Sequence, residues 1–161
     1  MMENIVQTSG FELSESEALR FLRHFPLMIS TTSSPTLLYR IDSGLLVGSD
    51  VSYRLVDGFR IVNWKGVITS VDGNAWTADI KQGPFRFFHA KHSIQTDNGL
   101  LEISDELEFD SDSFELSSAL KSSRILYAFD ARAALSSHID SFESRRQTET
   151  FQAFKSGLSA G

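Results

Sequence analysis

The sequence predicts an α+β domain in which a strongly curved antiparallel sheet packs against one long C-terminal helix. Two observations predict it. Between residues 37 and 109 the chain divides into short alternating segments separated by polar or glycine-containing turns, which is typical of consecutive antiparallel strands. From about residue 125 to 154 neither proline nor glycine occurs, and apolar residues recur at helical spacing. Curving a sheet of six or seven strands around this helix buries the apolar faces of both.

The first part of the chain is expected to hold one strand and one helix. Residues 4–12 read as a short strand. Ser14 and Glu17 have the spacing of a capping box, in which the serine caps the helix and the glutamate reaches back to it. Pro26 ends this helix, because the residue before a proline avoids the helical conformation.

Six further strands joined by short turns should form an antiparallel meander. They are expected at residues 37–41, 45–56, 59–71, 75–81, 85–96 and 100–109.

The last part of the chain is expected to be helical. A short helix is predicted from about residue 114 to 120, and the long helix follows over about 125–154. Residues 1–155 are therefore expected to form a single domain, and residues 156–161 a disordered tail.

The strand at residues 101–109 carries one anomalous residue. Its apolar and polar side chains alternate with period two, which indicates one buried face. Asp105 falls on the apolar face, where a carboxylate needs a partner. Asn98 and Gly99 give the strongest short signal for a hairpin turn. Counting outward from this turn places His92 opposite Asp105 on the same face, so the sequence predicts a buried pair.

The composition narrows the functional classes. Fifteen basic and twenty-one acidic residues give a net charge of -6, which argues against nucleic acid as the main partner. The chain has no cysteine, which suits a reducing cytoplasm, and we expect neither a signal peptide nor stable membrane insertion. Thirteen phenylalanines supply large apolar rings of the kind that fill cores or line apolar pockets.

Several short motifs resemble a known family. In chain order they are Gly48 before an alternating strand, Trp64 to Ile68, Gly83-Pro84-Phe85, His92, Asp105, and Phe142 with Arg145. Together they resemble the START-like (SRPBCC) ligand-binding superfamily, and within it a poorly characterised bacterial branch. This superfamily of helix-grip proteins includes polyketide cyclases, lipid-transfer domains and plant pollen-allergen proteins.

The chain departs from that branch at three positions, and it also lacks the proline that usually follows the last strand. Ala78 and Ile80 stand where an acidic residue and an amide are usual, and Ala90 stands where a second histidine is usual. The resemblance therefore implies the helix-grip fold and a ligand cavity between sheet and helix, and not a particular chemistry.

We expect the cavity to bind a small apolar or amphipathic molecule, with no cofactor. The expected ligand-binding residues are Tyr53, Trp64, Trp76, Phe88, His92, Ile103, Asp105, Leu107, Phe109, Leu135, His138 and Phe142. His89 and His92 do not predict a metal site, because positions three apart on a strand point to opposite faces.

Two other functions stay open. One is an enzyme of the polyketide cyclase or aromatase type, a lyase without cofactor, in which His92 and Asp105 supply acid–base help. The other is a structural or partner-binding domain with a collapsed core. The sequence does not indicate the oligomeric state or the identity of the ligand.

Overall fold

The computed structural model of the chain describes residues 2–25 and 34–127. Within these ranges one eight-stranded sheet carries two short helices. The elements in chain order are β1 (Glu3–Phe11), α1 (Glu15–Phe21), β2 (Thr36–Ile41), β3 (Asp50–Asp57), β4 (Arg60–Asp72), β5 (Ala75–Gln82), β6 (Phe87–Asp97), β7 (Leu100–Asp110), α2 (Phe114–Lys121) and β8 (Arg124–Leu126).

The strand order across the sheet is β1-β7-β6-β5-β4-β3-β2-β8. The antiparallel meander predicted from the sequence is confirmed from β2 to β7, where each strand pairs with the next along the chain. β1 joins the far side of β7, also antiparallel. The predicted count of six or seven strands is too low, because β8 adds an eighth strand that runs parallel to β2.

The predicted start of the long helix is wrong. Ile125 and Leu126 belong to β8, where they lie opposite Leu37 and Leu38 of β2. A short apolar run fits a strand and a buried helix equally well, and here the free edge of β2 supplies hydrogen-bond partners. Most of the predicted helix, the domain end at residue 155 and the tail at 156–161 lie outside the described residues.

Both short helices begin at a serine cap. The Ser14 hydroxyl accepts a hydrogen bond from the Glu17 amide at 3.2 Å, as the capping box predicts. The Glu17 carboxylate does reach back to Ser14, but it accepts from the hydroxyl at 3.0 Å, where a capping box uses the backbone amide. Ser113 accepts from the Leu116 amide at 3.1 Å in the same way. Helix α1 ends at Phe21, earlier than the position of Pro26 suggested. None of the described helices is long and apolar enough to cross a membrane.

The sheet curves until its two edge strands approach each other. The Gln7 side chain of β1 spans the gap between them: its Oε1 accepts from the Ile125 amide at 2.9 Å, and its Nε2 donates to the Ile125 carbonyl at 3.1 Å. One side-chain amide thus takes the place of a strand pairing between β1 and β8. The concave face is thereby enclosed, and it carries most of the buried side chains.

Candidate functional site

The hairpin between β6 and β7 has the geometry that the sequence predicts. Asn98 and Gly99 have φ values of 52° and 78°, as a two-residue turn with both central residues in the left-handed region requires. The register that follows sets His92 opposite Asp105. The predicted pair is confirmed: His92 Nδ1 lies 2.7 Å from Asp105 Oδ1, and both side chains are fully buried.

Two tyrosines also donate hydrogen bonds to the buried carboxylate of Asp105. The Tyr39 hydroxyl donates to Asp105 Oδ1 at 2.9 Å, and the Tyr127 hydroxyl donates to Asp105 Oδ2. Asp105 thus accepts from three donors that come from three different parts of the fold. A buried carboxylate needs such donors, because burial removes the water that would otherwise solvate its charge.

A third tyrosine extends the network through the imidazole. Tyr53 Oη lies 3.1 Å from His92 Nε2. With Nδ1 protonated toward the carboxylate, Nε2 of a neutral imidazole accepts from the Tyr53 hydroxyl. The order Asp105, His92, Tyr53 is therefore a line in which a carboxylate orients an imidazole and the imidazole faces a hydroxyl.

The surroundings keep two of these tyrosines protonated. Burial raises the pKa of Tyr39 well above its ordinary value of 10.0, and the charge of Asp105 raises it further. Burial followed by the charge of Asp105 also raises the pKa of Tyr53 well above that value. Both hydroxyls consequently act as hydrogen-bond donors over the physiological range.

An aromatic shell surrounds the polar network. The His92 ring stacks on Tyr39 with centroids 4.4 Å apart, and Tyr53 stacks on Trp64 at 5.7 Å. Phe88 meets the edge of Tyr53 at 4.8 Å, and Trp76 lies 5.4 Å from His92. The polar atoms are therefore enclosed by rings, where the low local polarity strengthens their hydrogen bonds.

Two glycines make room for these rings. A side chain at Gly66 would lie 3.1 Å from the Tyr53 ring and 3.2 Å from the Asp79 carbonyl. One at Gly83 would lie 2.5 Å from the Cβ of Trp64, a distance that real structures do not adopt. Tyr53 and Trp64 can thus lie close against the backbone of their neighbours.

Two donors inside the shell have no acceptor. The indole Nε1 atoms of Trp64 and Trp76 are buried and make no hydrogen bond among the residues that the structure describes. These are the two tryptophans of the chain. A buried donor without a partner costs about 1–3 kcal/mol, so two of them in one shell require an explanation.

Comparison with known proteins gives matches at the level of structure alone. No protein-family model matches the chain, and no curated protein matches it in sequence. Major latex-like protein 151 from Panax ginseng superposes with a TM-score of 0.50 at 10% identity, over 87% of this chain and 96% of that one. The chain has the START-like fold. This confirms the curved α+β sheet of the fold that the motif resemblance implied, while most of the long C-terminal helix lies outside the described residues.

Other solved structures match with lower scores. Ara h 8.0201 covers 100% of both chains at 9% identity, with a TM-score of 0.47. Norcoclaurine synthase from Thalictrum flavum, in complex with dopamine and hydroxybenzaldehyde, matches 74% of this chain and 77% of its own at 12% identity, with a TM-score of 0.47.

The START-like sheet brings nine of the predicted site residues to its concave face. They are Tyr53, Trp64, Trp76, Phe88, His92, Ile103, Asp105, Leu107 and Phe109, all of them buried. The other three, Leu135, His138 and Phe142, lie outside the described residues. The ligand-binding role of the set stays a prediction.

Sequence reasoning missed Tyr39, Tyr127 and Gln7. A signal was present in the aromatic composition, which has thirteen phenylalanines and only three tyrosines. All three tyrosines donate into the network, so a chain that otherwise uses phenylalanine keeps a hydroxyl where the interior offers an acceptor. Gln7 left no such signal.

His89 lies on the opposite face from His92, as the strand period predicts. Its Nδ1 contacts Asp79 Oδ1 at 2.7 Å on the outer face, where both side chains are partly exposed. In the described part of the chain no three histidine, cysteine or acidic side chains are grouped as a metal site requires.

In the described part of the chain, two grooves on the outer face of the sheet each cross three or more strands. The larger, of about 500 Å³, crosses β1, β7, β6, β5 and β4 and is lined largely by short hydroxyl, apolar and charged side chains. The smaller, of about 400 Å³, lies over β2, β3 and β4 and contains several basic side chains.

Proposed function

We propose that this protein binds a small, largely apolar molecule carrying hydrogen-bond acceptors, on the concave face of the sheet. The observation that carries the proposal is the pair of buried indole donors at Trp64 and Trp76, which have no acceptor among residues 2–25 and 34–127. They sit beside a polar network whose donors otherwise all have acceptors. An acceptor on the ligand, such as a carbonyl or ether oxygen, would satisfy them.

We propose that Asp105 positions its neighbours and does not contact the ligand. Asp105 already accepts from Tyr39, His92 and Tyr127, so its oxygens have little capacity left for a ligand. Its proposed role is to position the imidazole and the tyrosines. The groups proposed to touch the acceptor of the ligand are then the indole N–H groups, since the one O–H of Tyr53 donates to His92.

Most of the binding free energy would come from the aromatic shell. Apolar burial contributes about 25 cal/mol per Å² before the cost of association is subtracted. Satisfying one stranded donor adds about 1–3 kcal/mol, which corresponds to roughly 5- to 150-fold in affinity. Because the indoles are buried, the ligand must displace neighbouring side chains, so association should be slower than the usual 10⁵–10⁷ M⁻¹s⁻¹.

The test is a ligand screen read by tryptophan emission. Both tryptophans lie in the proposed site, so binding should shift their emission and raise the melting temperature of the protein. A panel of flavonoids, fatty acids and polyketides supplies apolar compounds with and without carbonyl acceptors. Trp76→Phe keeps an aromatic ring but removes the N–H. It should weaken the binding of carbonyl-bearing compounds more than the binding of their analogues without an acceptor.

Two results would contradict the proposal. If no compound of the panel shifts emission or melting temperature, the concave face is a collapsed core and the structural reading stands. If Trp64→Phe and Trp76→Phe both bind every compound as tightly as the parent chain, the indole donors do not contact the ligand.

A second candidate function is acid–base catalysis on the bound molecule. The line from Asp105 through His92 to Tyr53, with separations of 2.7 and 3.1 Å, favours it. Because Tyr53 occupies Nε2 of His92, the Tyr53 oxygen would accept the substrate proton while its own proton passes to the imidazole, and the reverse transfer would return it. A cyclisation or aromatisation of a polyketide chain that Tyr53→Phe slows without weakening binding would support this function, and equal rates would exclude it.

We further propose that the protein works in the cytoplasm and does not bind nucleic acid. The absence of cysteine and the net charge of -6 support these two points.

A further inference from the structure

The groove over β2, β3 and β4 lies on the face of the sheet opposite to the aromatic shell. Arg40, Arg54 and Lys65 project into it from three neighbouring strands. The register explains the grouping: Arg40 lies opposite Ser52, and Ser52 lies opposite Lys65. Three basic side chains thus meet in a space of about 400 Å³, on a chain whose net charge is -6.

Both arginines are held in place by hydrogen bonds from their Nε atoms. Arg54 donates from Nε to the Asn63 side-chain carbonyl at 2.8 Å, and its guanidinium lies 4.5 Å from the Phe25 ring centre. Arg40 donates from Nε to Asp42 at 2.9 Å, and its guanidinium lies 4.8 Å from the same ring. The terminal Nη groups of both make no hydrogen bond to residues 2–25 or 34–127, so two oriented pairs of N–H donors are unused within this part of the chain.

The charges in the groove are only partly neutralised. Asp42 pairs with Arg40 at 2.9 Å and with Lys65 at 2.6 Å. Burial by itself would raise the pKa of Asp42, but hydrogen bonds from Lys65, Ser52 and Arg40 outweigh it and lower the pKa. One carboxylate therefore balances two cations, and Arg54 makes no salt bridge within the described part of the chain.

We propose that this groove binds a phosphate group through Arg54 and Arg40, with Lys65 at its side. A planar guanidinium with free Nη donors matches the geometry of an oxyanion and binds it through two parallel hydrogen bonds. Phe25 and Asn63 hold the guanidinium in place before the ligand arrives, which reduces the entropy lost on binding. The phosphate belongs either to a soluble molecule or to a lipid headgroup.

The test compares phosphate sources at constant ionic strength. Calorimetric titration with inorganic phosphate, balanced by sodium chloride, measures the soluble source. Co-sedimentation with phosphatidylcholine vesicles, with and without phosphatidic acid, measures the lipid source. Arg54→Gln should weaken binding by about 10- to 100-fold, because it removes a charge-assisted pair of hydrogen bonds.

Arg86→Gln is the matched control. Arg86 is also a surface arginine, but it already pairs with Asp110 and Asp112 at 3.1 and 2.9 Å. The Arg86→Gln substitution should leave phosphate binding unchanged. The melting temperatures of the Arg54→Gln and Arg86→Gln variants verify that both fold. Arg54→Lys keeps the positive charge but lacks the planar pair of Nη donors. Its affinity for phosphate should therefore lie between those of Arg54→Gln and the parent chain.

The outcomes separate the two sources. Saturable binding of inorganic phosphate that Arg54→Gln weakens supports the site with a soluble ligand. Binding confined to phosphatidic acid vesicles, with the same sensitivity, supports it with a lipid headgroup. No binding in either arm, or equal weakening by Arg86→Gln, overturns the proposal. The ligand screen on the concave face is unaffected by any of these results, because the two faces are tested with different probes.

Discussion

Asp105→Asn is the substitution that most directly tests the buried network. The asparagine has the shape of the aspartate, but it carries no charge and offers one acceptor oxygen in place of two. Tyr39, Tyr127 and His92 all donate to the carboxylate in the parent chain. The new NH₂ group must therefore face at least one other donor.

The expected cost follows from these contacts. Hydrogen bonds to a charged acceptor contribute about 1.5–3 kcal/mol and neutral ones about 0.5–1.5 kcal/mol, so the two bonds that remain lose roughly 2 kcal/mol. One stranded donor adds about 1–3 kcal/mol, while relief from burying a charge offsets part of the sum. We expect the free energy of unfolding to fall by about 3 kcal/mol, which lowers the melting temperature by roughly 6–12 °C.

The fold contains a matched control for this measurement. His89 and Asp79 form a cross-strand pair with the same 2.7 Å separation, but their side chains are 27% and 42% exposed. Asp79→Asn should cost less than about 1 kcal/mol, because water screens and replaces a surface pair. Urea unfolding followed by tryptophan emission gives both values, and an unchanged slope with denaturant verifies that the same transition is compared.

A small difference between the two variants would refute the reasoning. If Asp105→Asn destabilises the protein no more than Asp79→Asn, the three donors do not depend on the carboxylate and Asp105 has no positioning role.

Two further predictions concern protonation and closure of the sheet. The folded-state pKa values of Tyr39 and Tyr53 lie above the unfolded value of 10.0, so their contribution to stability is complete below that pH and is lost as pH rises above it. Absorbance at alkaline pH should show both phenols ionising only as the protein unfolds, and ionisation in the folded state would contradict the burial argument. Gln7→Leu should speed hydrogen exchange of the Ile125 amide by about 10-fold or more, since that amide loses its acceptor. Thr8→Val, a substitution at the next residue of the same strand, should leave this rate unchanged, and an equal effect would show that the amide does not depend on Gln7.

Much of the sheet was predictable because strands and turns are local properties. Alternation located β7, and the Asn98-Gly99 turn located its partner in β6. Together they placed His92 against Asp105, since a two-residue turn determines the register of both strands. The cap at Ser14 was predictable for the same reason.

The sequence by itself determined the pair at the centre of the site, and only the tertiary structure decided what surrounds it. Tyr39 is 66 residues from Asp105 in the chain, and Gln7 is 118 residues from Ile125. These contacts depend on how strongly the sheet curves. The curvature is the sum of small twists between neighbouring strands over eight strands, and such a sum leaves no local pattern in the sequence. The same curvature brought the edge of β2 within reach of residues 124–126, which became a strand although their own pattern also fits a helix.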